Sequence, residues 1–518
     1  MAVNVNETEI KYDAPPGAAL PRLGDLPQVA RISGPDEEQL EAEYYDTDDL
    51  RLIRAGITVR RRRGGDDAGW HLKLPLGDAP RREIQLPPGQ PGRQVPGELA
   101  ELVRVHTRGE PLRPVARITT KRQRLTLLDQ AGESLAEVMA DDVSAQTLGD
   151  TTTVSGWHEV EVELTGGSRQ LLKAACKLLR RDGLRPAGRS AKLERALEGQ
   201  LPEPARQVPL TSSSPAGQVV LAYLQTHAEA LKSLDPMVRR DEPDAVHQMR
   251  VATRRVRSTL RSFGHIIRRD GTQRLAAELK WLGTMLGQAR DGEVLAGHLQ
   301  AELHQTPEEL VIGPVQGRVQ GYFASVRAGA RTALLGALDS PRYFSLLEEL
   351  DKLIAEPPLT PQAAMPSAKV LPVAVRRPYR QVRQRMRRAR QARAGQSADV
   401  ALHQARKAAK RARYAGEAMT PAIGPKARRF AKQMKRSSRS SAITRTRSSP
   451  ARRSGNWAQA HTPQARTPSA TASCTGAMPA TANGFRLRHG GRGSAHPALV
   501  TGAGCTKLGA EERGRRAR

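Results

Sequence analysis

Between Thr8 and Leu164 apolar and polar side chains alternate at period two in short runs: Thr8–Tyr12, Ile57–Arg63, Trp70–Pro75, Arg82–Leu86, Ala116–Leu128, Ser134–Val143 and Trp157–Leu164. Each run is bounded by Gly, Pro or Asp, which predicts strands of an antiparallel meander or barrel. Helical spacing interrupts them chiefly at Glu37–Glu43 and Arg169–Arg181. From Glu198 to Pro215 the chain turns Pro- and Ser-rich, the composition of a linker. Beyond Pro215 the period becomes helical. In Val246–Phe263 the residues Met249, Ala252, Val256, Leu260 and Phe263 share one face, and His247, Arg250, Arg254, Arg257 and Arg261 form a cationic stripe beside it. The segment His247–Arg257 recurs as His403–Arg413, an offset of 156 residues, so the helical region is internally duplicated. The Pro-rich stretch Glu356–Pro366 lies between the copies. After about Lys435, Ser, Arg, Thr, Ala, Pro and Gly dominate, a composition that cannot bury a core.

The 518 residues suffice for two or three domains, and charge divides them. Residues 1–200 hold 29 Lys+Arg against 31 Asp+Glu, residues 201–518 hold 54 against 22, and the whole carries +30. An acidic-neutral module is joined to a strongly basic one, and the basic one calls for an anionic partner. Aromatics at 3% and the lack of a reading motif argue against nucleic acid as that partner. Three cysteines, Cys176, Cys474 and Cys505, provide neither a disulfide framework nor a cysteine-rich zinc site. No apolar run of about 18 residues and no basic-then-apolar leader occurs, so a soluble cytoplasmic protein with no membrane partner is expected.

Charges within the strands carry the chemistry. In Glu7-Thr-Glu9-Ile-Lys11 a strand places two carboxylates and an ammonium on one face. Clustered carboxylates repel unless a cation lies between them, and hard oxygen donors suit Mg²⁺ or Mn²⁺. Further charges recur at period two in Arg60 and Arg62, in Lys73, next to Glu83, in Arg122 and Arg124, and in Glu159, Glu161 and Glu163. A barrel lined in this way has a charged interior, where basic groups clamp phosphates and carboxylates hold a bridging metal.

With Glu7–Lys11, Tyr45-Asp-Thr-Asp, Leu52–Arg60, Trp70-His-Leu-Lys73, Arg82-Glu83, Trp157–Glu163 and Lys192, residues 5 to about 197 resemble a CYTH domain of the triphosphate tunnel metalloenzyme family. The resemblance implies an eight-stranded antiparallel tunnel that binds a triphosphate and, with a divalent metal, hydrolyses or cyclises it. It assigns phosphate contacts to Lys11, Arg60, Arg62, Lys73, Arg122, Arg124 and Lys192. Metal would be held by Glu7, Glu9, Glu83, Glu159 and Glu161, with Lys11 and Glu9 the catalytic pair. Residues 216 to about 435 resemble a CHAD domain, through His247–Arg257, Leu279-Lys-Trp-Leu282, Leu286–Asp291 and His403–Tyr414. That resemblance implies inorganic polyphosphate as ligand and association with polyphosphate granules. Its contacts would be His247, Arg250, Arg254, Arg257, Arg261, Arg290, His403, Arg406, Lys407, Lys410, Arg411 and Tyr414.

The expected fold is therefore α+β: a tunnel domain over 1–200, a linker over 201–215, a helical bundle of two repeats over 216–435, and a disordered tail over 436–518. The expected function is a metal-dependent triphosphate-hydrolysing tunnel fused to a polyphosphate-binding domain. A binding-only or granule-associated protein, an adenylate cyclase and a nucleic-acid binder are the competing classes. By the duplication, the counterpart of Leu286–Asp291 falls near residue 442. Reading the gene one nucleotide earlier across Ser441–Pro450 admits Leu-Gly-Asp-His-Gln-Asp-Ser-Val-Val-Ala there, which points to a frame change near Lys435–Ser438. On that reading Ala405, Ala409, Ala412 and Met419 lose part of their packing surface, while the tunnel domain folds independently of the helical one.

Overall fold

A computed structural model describes residues 3–446 apart from 18–19, 77–78, 90–93, 150, 189–190, 203–207, 308–312 and 392–395. In the N-terminal part, β1 (Val3–Glu7), β2 (Glu9–Ala14), β3 (Arg31–Asp46), β4 (Thr58–Arg63), β5 (Gly69–Leu76), β6 (Ala79–Leu86), β7 (Arg113–Leu128), β8 (Ser134–Thr147), β9 (Val154–Leu164) and β10 (Arg185–Pro186) form one sheet. Its order is β1-β6-β5-β4-β3-β7-β8-β9-β2-β10, and its paired strands are antiparallel. The helices α1 (Arg51–Arg54), α2 (Gly97–Thr107), α3 (Arg169–Arg181) and α4 (Lys192–Ala196) flank it.

Instead of an eight-stranded closed tunnel, the hydrogen-bonded ladder is a ten-stranded sheet that does not close. The N-terminal strand breaks at Thr8: β1 pairs with β6, while β2 pairs with β9 on the far side of the sheet order. One residue thus joins two strands that are remote in the ladder, so the sheet must curl around an interior. The break also separates Glu7, on β1, from Glu9 and Lys11, on β2. Glu7's side chain lies outside the described residues.

The segment Glu37–Glu43, expected to be helical, is the middle of the long strand β3. Its glutamates favour a helix, but Leu40, Ala42 and Tyr44 are buried at period two. Cross-strand ion pairs of Glu38 with Arg124 (3.1 Å) and of Glu41 (3.4 Å) and Glu43 (3.3 Å) with Arg117 then fix the strand. Arg169–Arg181 is a helix as expected, its first turn capped by the Ser168 hydroxyl, which accepts from the Leu171 N–H.

The C-terminal part comprises α5 (Ala216–Arg239), α6 (Ala245–Ser262), α7 (Gln273–Gln305), α8 (Val315–Leu338), α9 (Pro341–Ala355), α10 (Ser367–Val370), α11 (Val373–Gln391), α12 (Gln396–Ile423) and α13 (Pro425–Thr446). The apolar stripe of α6 is buried as its spacing requires: Met249, Ala252, Val256 and Leu260, with Phe263 at the C-cap. α13 runs past residue 435, where the tail was expected to begin, to Thr446. Ala405, Ala409, Ala412 and Met419 are all buried, so the expected loss of packing is not observed. Ala408, Ala409 and Ala412 of α12 close with Met434 of α13 and Val382 of α11 into a small core of their own. Residues 447–518, which include the last four residues of the segment read for a frame change, lie outside the described residues.

The sheet and the helices interlock through α2. Leu99, Leu102 and Val103 pack into the sheet's core, while Val105 belongs to the main core of the helical part. Polar contacts surround this joint. Arg104 Nη1 donates to Asp339 Oδ1 at 3.0 Å, and Arg239 donates to that same carboxylate at 2.7 Å and to the buried Asp235 at 2.6 Å. Arg108 and Lys232 share Asp351, and Arg82 of β6 pairs with Glu242. The linker's last residues are also docked, the Ser367 N–H donating to Ser214 O and the Ala368 N–H to Ser212 O.

Independent folding of the tunnel domain is therefore replaced by a different expectation. Val105→Asp should lower the unfolding midpoint of both parts together, because a buried unpaired charge costs several kcal/mol wherever the shared core opens. Tryptophan fluorescence, with Trp70 and Trp157 in the sheet, and far-UV helical signal should report one coincident transition. His106, half-buried at this joint, is pushed down to about 4 by burial, Lys232 and Arg108. The unfolded chain therefore binds the extra proton first. Stability should rise with pH between about 4 and 6.5 and be lost on acidification, and His106→Gln should flatten that dependence.

Candidate functional site

Period-two alternation sends one set of side chains from each strand into the interior, and the register decides who meets whom. Lys11 lies across from Glu161, Lys73 from Glu83, Arg122 from Asp141, Asp141 from Glu159, and Arg60 from both Tyr44 and His71. The result is a cavity of about 250 Å³ lined by Glu9, Lys11, Tyr44, Arg60, Arg62, Lys73, Glu83, Arg122, Arg124, Glu161, Glu163 and Lys192, among others. The structure thus gathers the assigned cavity residues Glu9, Lys11, Arg60, Arg62, Lys73, Glu83, Arg122, Arg124, Glu161 and Lys192 around one space. Glu159 stands just behind them.

Glu161 is the hub. Its Oε1 accepts from Lys11 Nζ at 2.5 Å and from Lys192 Nζ at 2.7 Å, and its Oε2 from Arg122 Nη2 at 3.1 Å. Burial alone would raise its pKa, but Lys11, Lys192 and Arg122 hold the carboxyl well below the usual range. Lys192, at the start of α4, also reaches Glu159 Oε1 at 2.7 Å and Asp141 Oδ2 at 2.9 Å. Burial works against its charge, yet the three carboxylates raise it. Arg122 grips Asp141 bidentately, with both N···O distances 2.7 Å. Trp157 Nε1 donates to Glu159 Oε2 at 2.6 Å and fixes that carboxylate's rotation. Glu159 is nonetheless raised by burial, Lys192 opposing and Glu161 adding to the shift.

A second group lies around Glu83. His71 Nδ1 is 2.6 Å from Glu83 Oε1, and Nε2 is 2.7 Å from the carbonyl oxygen of Asp67. Arg60 Nη2 and Lys73 Nζ stand 3.7 and 3.6 Å from the same carboxylate. Arg62 pairs with Asp67, and Arg124 with Glu38 and Asp66. Beside Glu9, the Glu163 carboxyl is pushed up to about 6 by burial and then by the Glu9 charge.

Two observations test what this interior fits. The side-chain Nε atoms of Arg60, Arg62 and Arg124 are buried with no hydrogen-bond partner, an arrangement that costs free energy until an oxyanion supplies acceptors. Asp141, Glu159 and Glu161, all buried, bring ligand oxygens within 4.8 Å of one another, and Glu159 Oε1 lacks a hydrogen bond of good geometry. All-oxygen donors at that spacing fit a hard divalent cation. The sequence pattern does not single out Asp141, because Asp141-Asp142 reads as a polar strand end. Its signal was its place in the Glu137, Met139, Asp141 alternation, which puts it opposite Glu159 on β9. Glu9 and Glu83 line the cavity with other partners, Lys11 at 3.3 Å and the His71, Arg60 and Lys73 group respectively.

In the helical part, the stripes of α6 and α12 lie close enough for their charges to act on each other. Lys410 is lowered to about 8 by burial and then by Arg254, Arg406, Arg250 and Arg413. Arg257 is lowered by burial, Arg254 and Arg261, and Arg411 by burial, Arg261, Arg385 and Arg377. Among the described residues, cations outnumber carboxylates along these stripes, whereas in the sheet interior most charges are paired. Arg290 stands 3.9 Å from Asp244, and His247 and His403 lie at the starts of the two stripes, half-buried and exposed. Lys407 is exposed, Arg406 half-buried and Tyr414 buried, with the Arg255 and Arg413 guanidiniums over its ring at 5.8 and 5.7 Å. None of the described helices is long and apolar enough to cross a membrane.

The family model for the CYTH domain matches residues 6–191, and that for the CHAD domain matches residues 222–440. Uncharacterized proteins from two Mycobacterium tuberculosis strains, CDC 1551 / Oshkosh and ATCC 25618 / H37Rv, are each 37% identical over 432 residues, covering 80% of this chain and 82% of theirs. Among solved structures, PptA from Streptomyces chartreusis is similar at 20% identity and a TM-score of 0.35, covering 46% of this chain and 88% of that one. The CHAD domain from the plant Ricinus communis is similar at 22% identity and a TM-score of 0.35, covering 47% and 79%.

The ammonium of Lys192 stands among the carboxylates where a cation would bind. Lys192→Met should therefore destabilise the metal-free protein by about 3 to 5 kcal/mol, the scale for a buried ion group that loses one partner. Denaturant melts with and without Mg²⁺ or Mn²⁺ check this. Metal should recover more stability in the variant than in the wild type, and equal recovery would place the cation elsewhere.

Proposed function

Because the chain belongs to the family of proteins that join a CYTH domain to a CHAD domain, we propose that its sheet cavity hydrolyses a linear triphosphate with Mg²⁺ or Mn²⁺ and that its helical domain binds inorganic polyphosphate. The observation that carries the first half is the set of three partnerless buried guanidinium nitrogens in the same cavity as the carboxylate trio. Arg60, Arg62 and Arg124 hold the phosphates by charge-assisted hydrogen bonds, and Lys11 and Lys73 add charge at either side. Asp141, Glu159 and Glu161 would hold a divalent ion, which would supply charge that polarises a phosphoryl oxygen. Lys11, Lys192 and Arg122, which surround Glu161, would offset the charge developing on the transferred group. Glu163, whose carboxyl burial and the Glu9 charge push up to about 6, lines the same cavity and would serve as the acceptor of a proton from water. The unbalanced cations of α6 and α12 support the second half, since a linear polyanion relieves their mutual repulsion.

Phosphate release from tripolyphosphate, thiamine triphosphate and ATP with either metal, alongside a cyclic-nucleotide assay, tests the tunnel. Glu161→Gln should lower turnover about 100-fold. Tight binding of all three with no phosphate released would leave a tunnel that only binds, and cyclic nucleotide from ATP would make it a cyclase.

Polyphosphate binding should take up protons. A bound polyanion raises the lowered Lys410 back toward its ordinary value, so affinity should fall as pH rises through about 8. Calorimetry in buffers of different ionisation enthalpy reads the proton count, and Lys410→Met should abolish it. Replacing Arg250, Arg254, Lys407 and Arg411 with Ala should weaken binding and flatten its salt dependence.

A further inference from the structure

We propose that α11 is an outer track for polyphosphate, continuous with the α6 and α12 stripes, that lets the helical domain discriminate long chains from short ones; this rests on the polyphosphate reading above. The helix holds eight arginines in nineteen residues and no acidic residue. It stands in the second repeat where α5 stands in the first, immediately before the duplicated helix. α5 buries Val219, Val220, Leu224, Leu231 and others, whereas α11 buries Ala374 and Val382. The position that builds core in one repeat carries charge in the other.

Those charges are ordered. Arg376, Arg380, Arg383, Arg387 and Arg390 recur at helical spacing, so they fall on one face, and all five are exposed. The row spans about 21 Å at 1.5 Å per residue. Among the described residues, none of the five has an acidic partner. A solvated face of a folded domain ordinarily mixes signs, and five unopposed arginines repel one another. A linear polyanion converts that repulsion into attraction at every step along the row.

Continuity decides which polyanion. Arg377 and Arg385 of the same helix are the α11 charges that depress Arg411 of α12, and Arg411 donates to Gln381 at 2.8 Å. Positive charge therefore extends from the α6 and α12 stripes across Arg411, Arg385 and Arg377 to the exposed row. A flexible chain of phosphates can pass from the stripes onto it. A rigid duplex that lies along the row cannot also bend to follow the stripes.

The test uses the full chain, free of divalent metal, on an R62A/R124A background that weakens phosphate binding in the sheet cavity. It compares an oligophosphate of about ten phosphates with a chain of about a hundred, over a salt series. At equal concentration of phosphate residues, the wild type should bind the long chain at least tenfold more tightly. The triple variant R380A/R383A/R387A should lose that advantage, keep its affinity for the short chain, and show a salt slope for the long chain shallower by about 2 to 3. R380K/R383K/R387K should retain the wild-type pattern, and unchanged helical signal on heating certifies the fold. Unchanged long-chain affinity in the Ala variant, or an equal loss for both chain lengths, overturns the outer track. So does a matched loss for duplex DNA, which would make α11 a general cationic surface. A wild type that binds neither chain overturns the polyphosphate reading itself.

Discussion

Glu161 is shared by three cations, Lys11, Lys192 and Arg122, and the sheet domain is organised around keeping that sharing balanced. A curled sheet whose inner face is charged cannot rely on apolar burial for its middle layer. Each charge there must find a partner or be expelled, because an isolated buried ion costs far more than a domain's whole margin of stability. The register answers this strand by strand, setting Lys11 opposite Glu161 and Arg122 opposite Asp141. The apolar work is moved to the outer faces, where Leu171, Leu178 and Leu179 of α3 cover one side and Leu99, Leu102 and Val103 of α2 another. The interior is then free to hold surplus donors such as the Nε atoms of Arg60 and Arg62, which a packed core would not tolerate.

The helical domain solves the opposite problem. Its core is ordinary, with Met249, Val256 and Phe263 at zero exposure, so its charges need not be balanced for folding and are left in excess. That difference separates the kinds of ligand each part suits. A balanced interior of fixed size admits a short ligand that must exchange partners with the residues already there, and such exchange makes chemistry depend on geometry. A half-buried stripe with surplus positive charge suits any polyanion that follows its spacing, and such affinity depends on salt and length.

How much of this the sequence disclosed follows from which forces are local. Period-two charge was legible because alternation is a property of one strand, and so Lys11, Arg60, Arg122 and Glu161 could be placed on inner faces before any partner was known. The duplicated stripes were legible for the same reason at period 3.6. What was hidden depended on pairing across distance. Glu37–Glu43 has the composition of a helix and becomes a strand because Arg117 and Arg124 lie on its neighbour. Asp141 gains its meaning from standing between Arg122 and Glu159. The break at Thr8 follows from the two ends of the ladder needing one strand each, and α2, whose Val105 enters the other domain's core, has no period that announces two different neighbours.

That last feature changes how the two parts should be regarded. A Pro- and Ser-rich linker read alone implies two modules that move freely, with one tethered near the other. Here α2 contributes to both cores, Asp339 is shared between Arg104 of the sheet part and Arg239 of the helical part, and Asp351 between Arg108 and Lys232. Each of these carboxylates would be left facing a single cation, and Val105 would face water, if the parts separated. The two parts therefore have a fixed relation enforced by packing and charge, and the linker's length sets little. Arg82, one residue from Glu83 on β6, is held by Glu242 just ahead of the first cationic stripe. That pair is a further direct link between the strand that carries Glu83 and the segment that opens the first cationic stripe, and it does not pass through the linker.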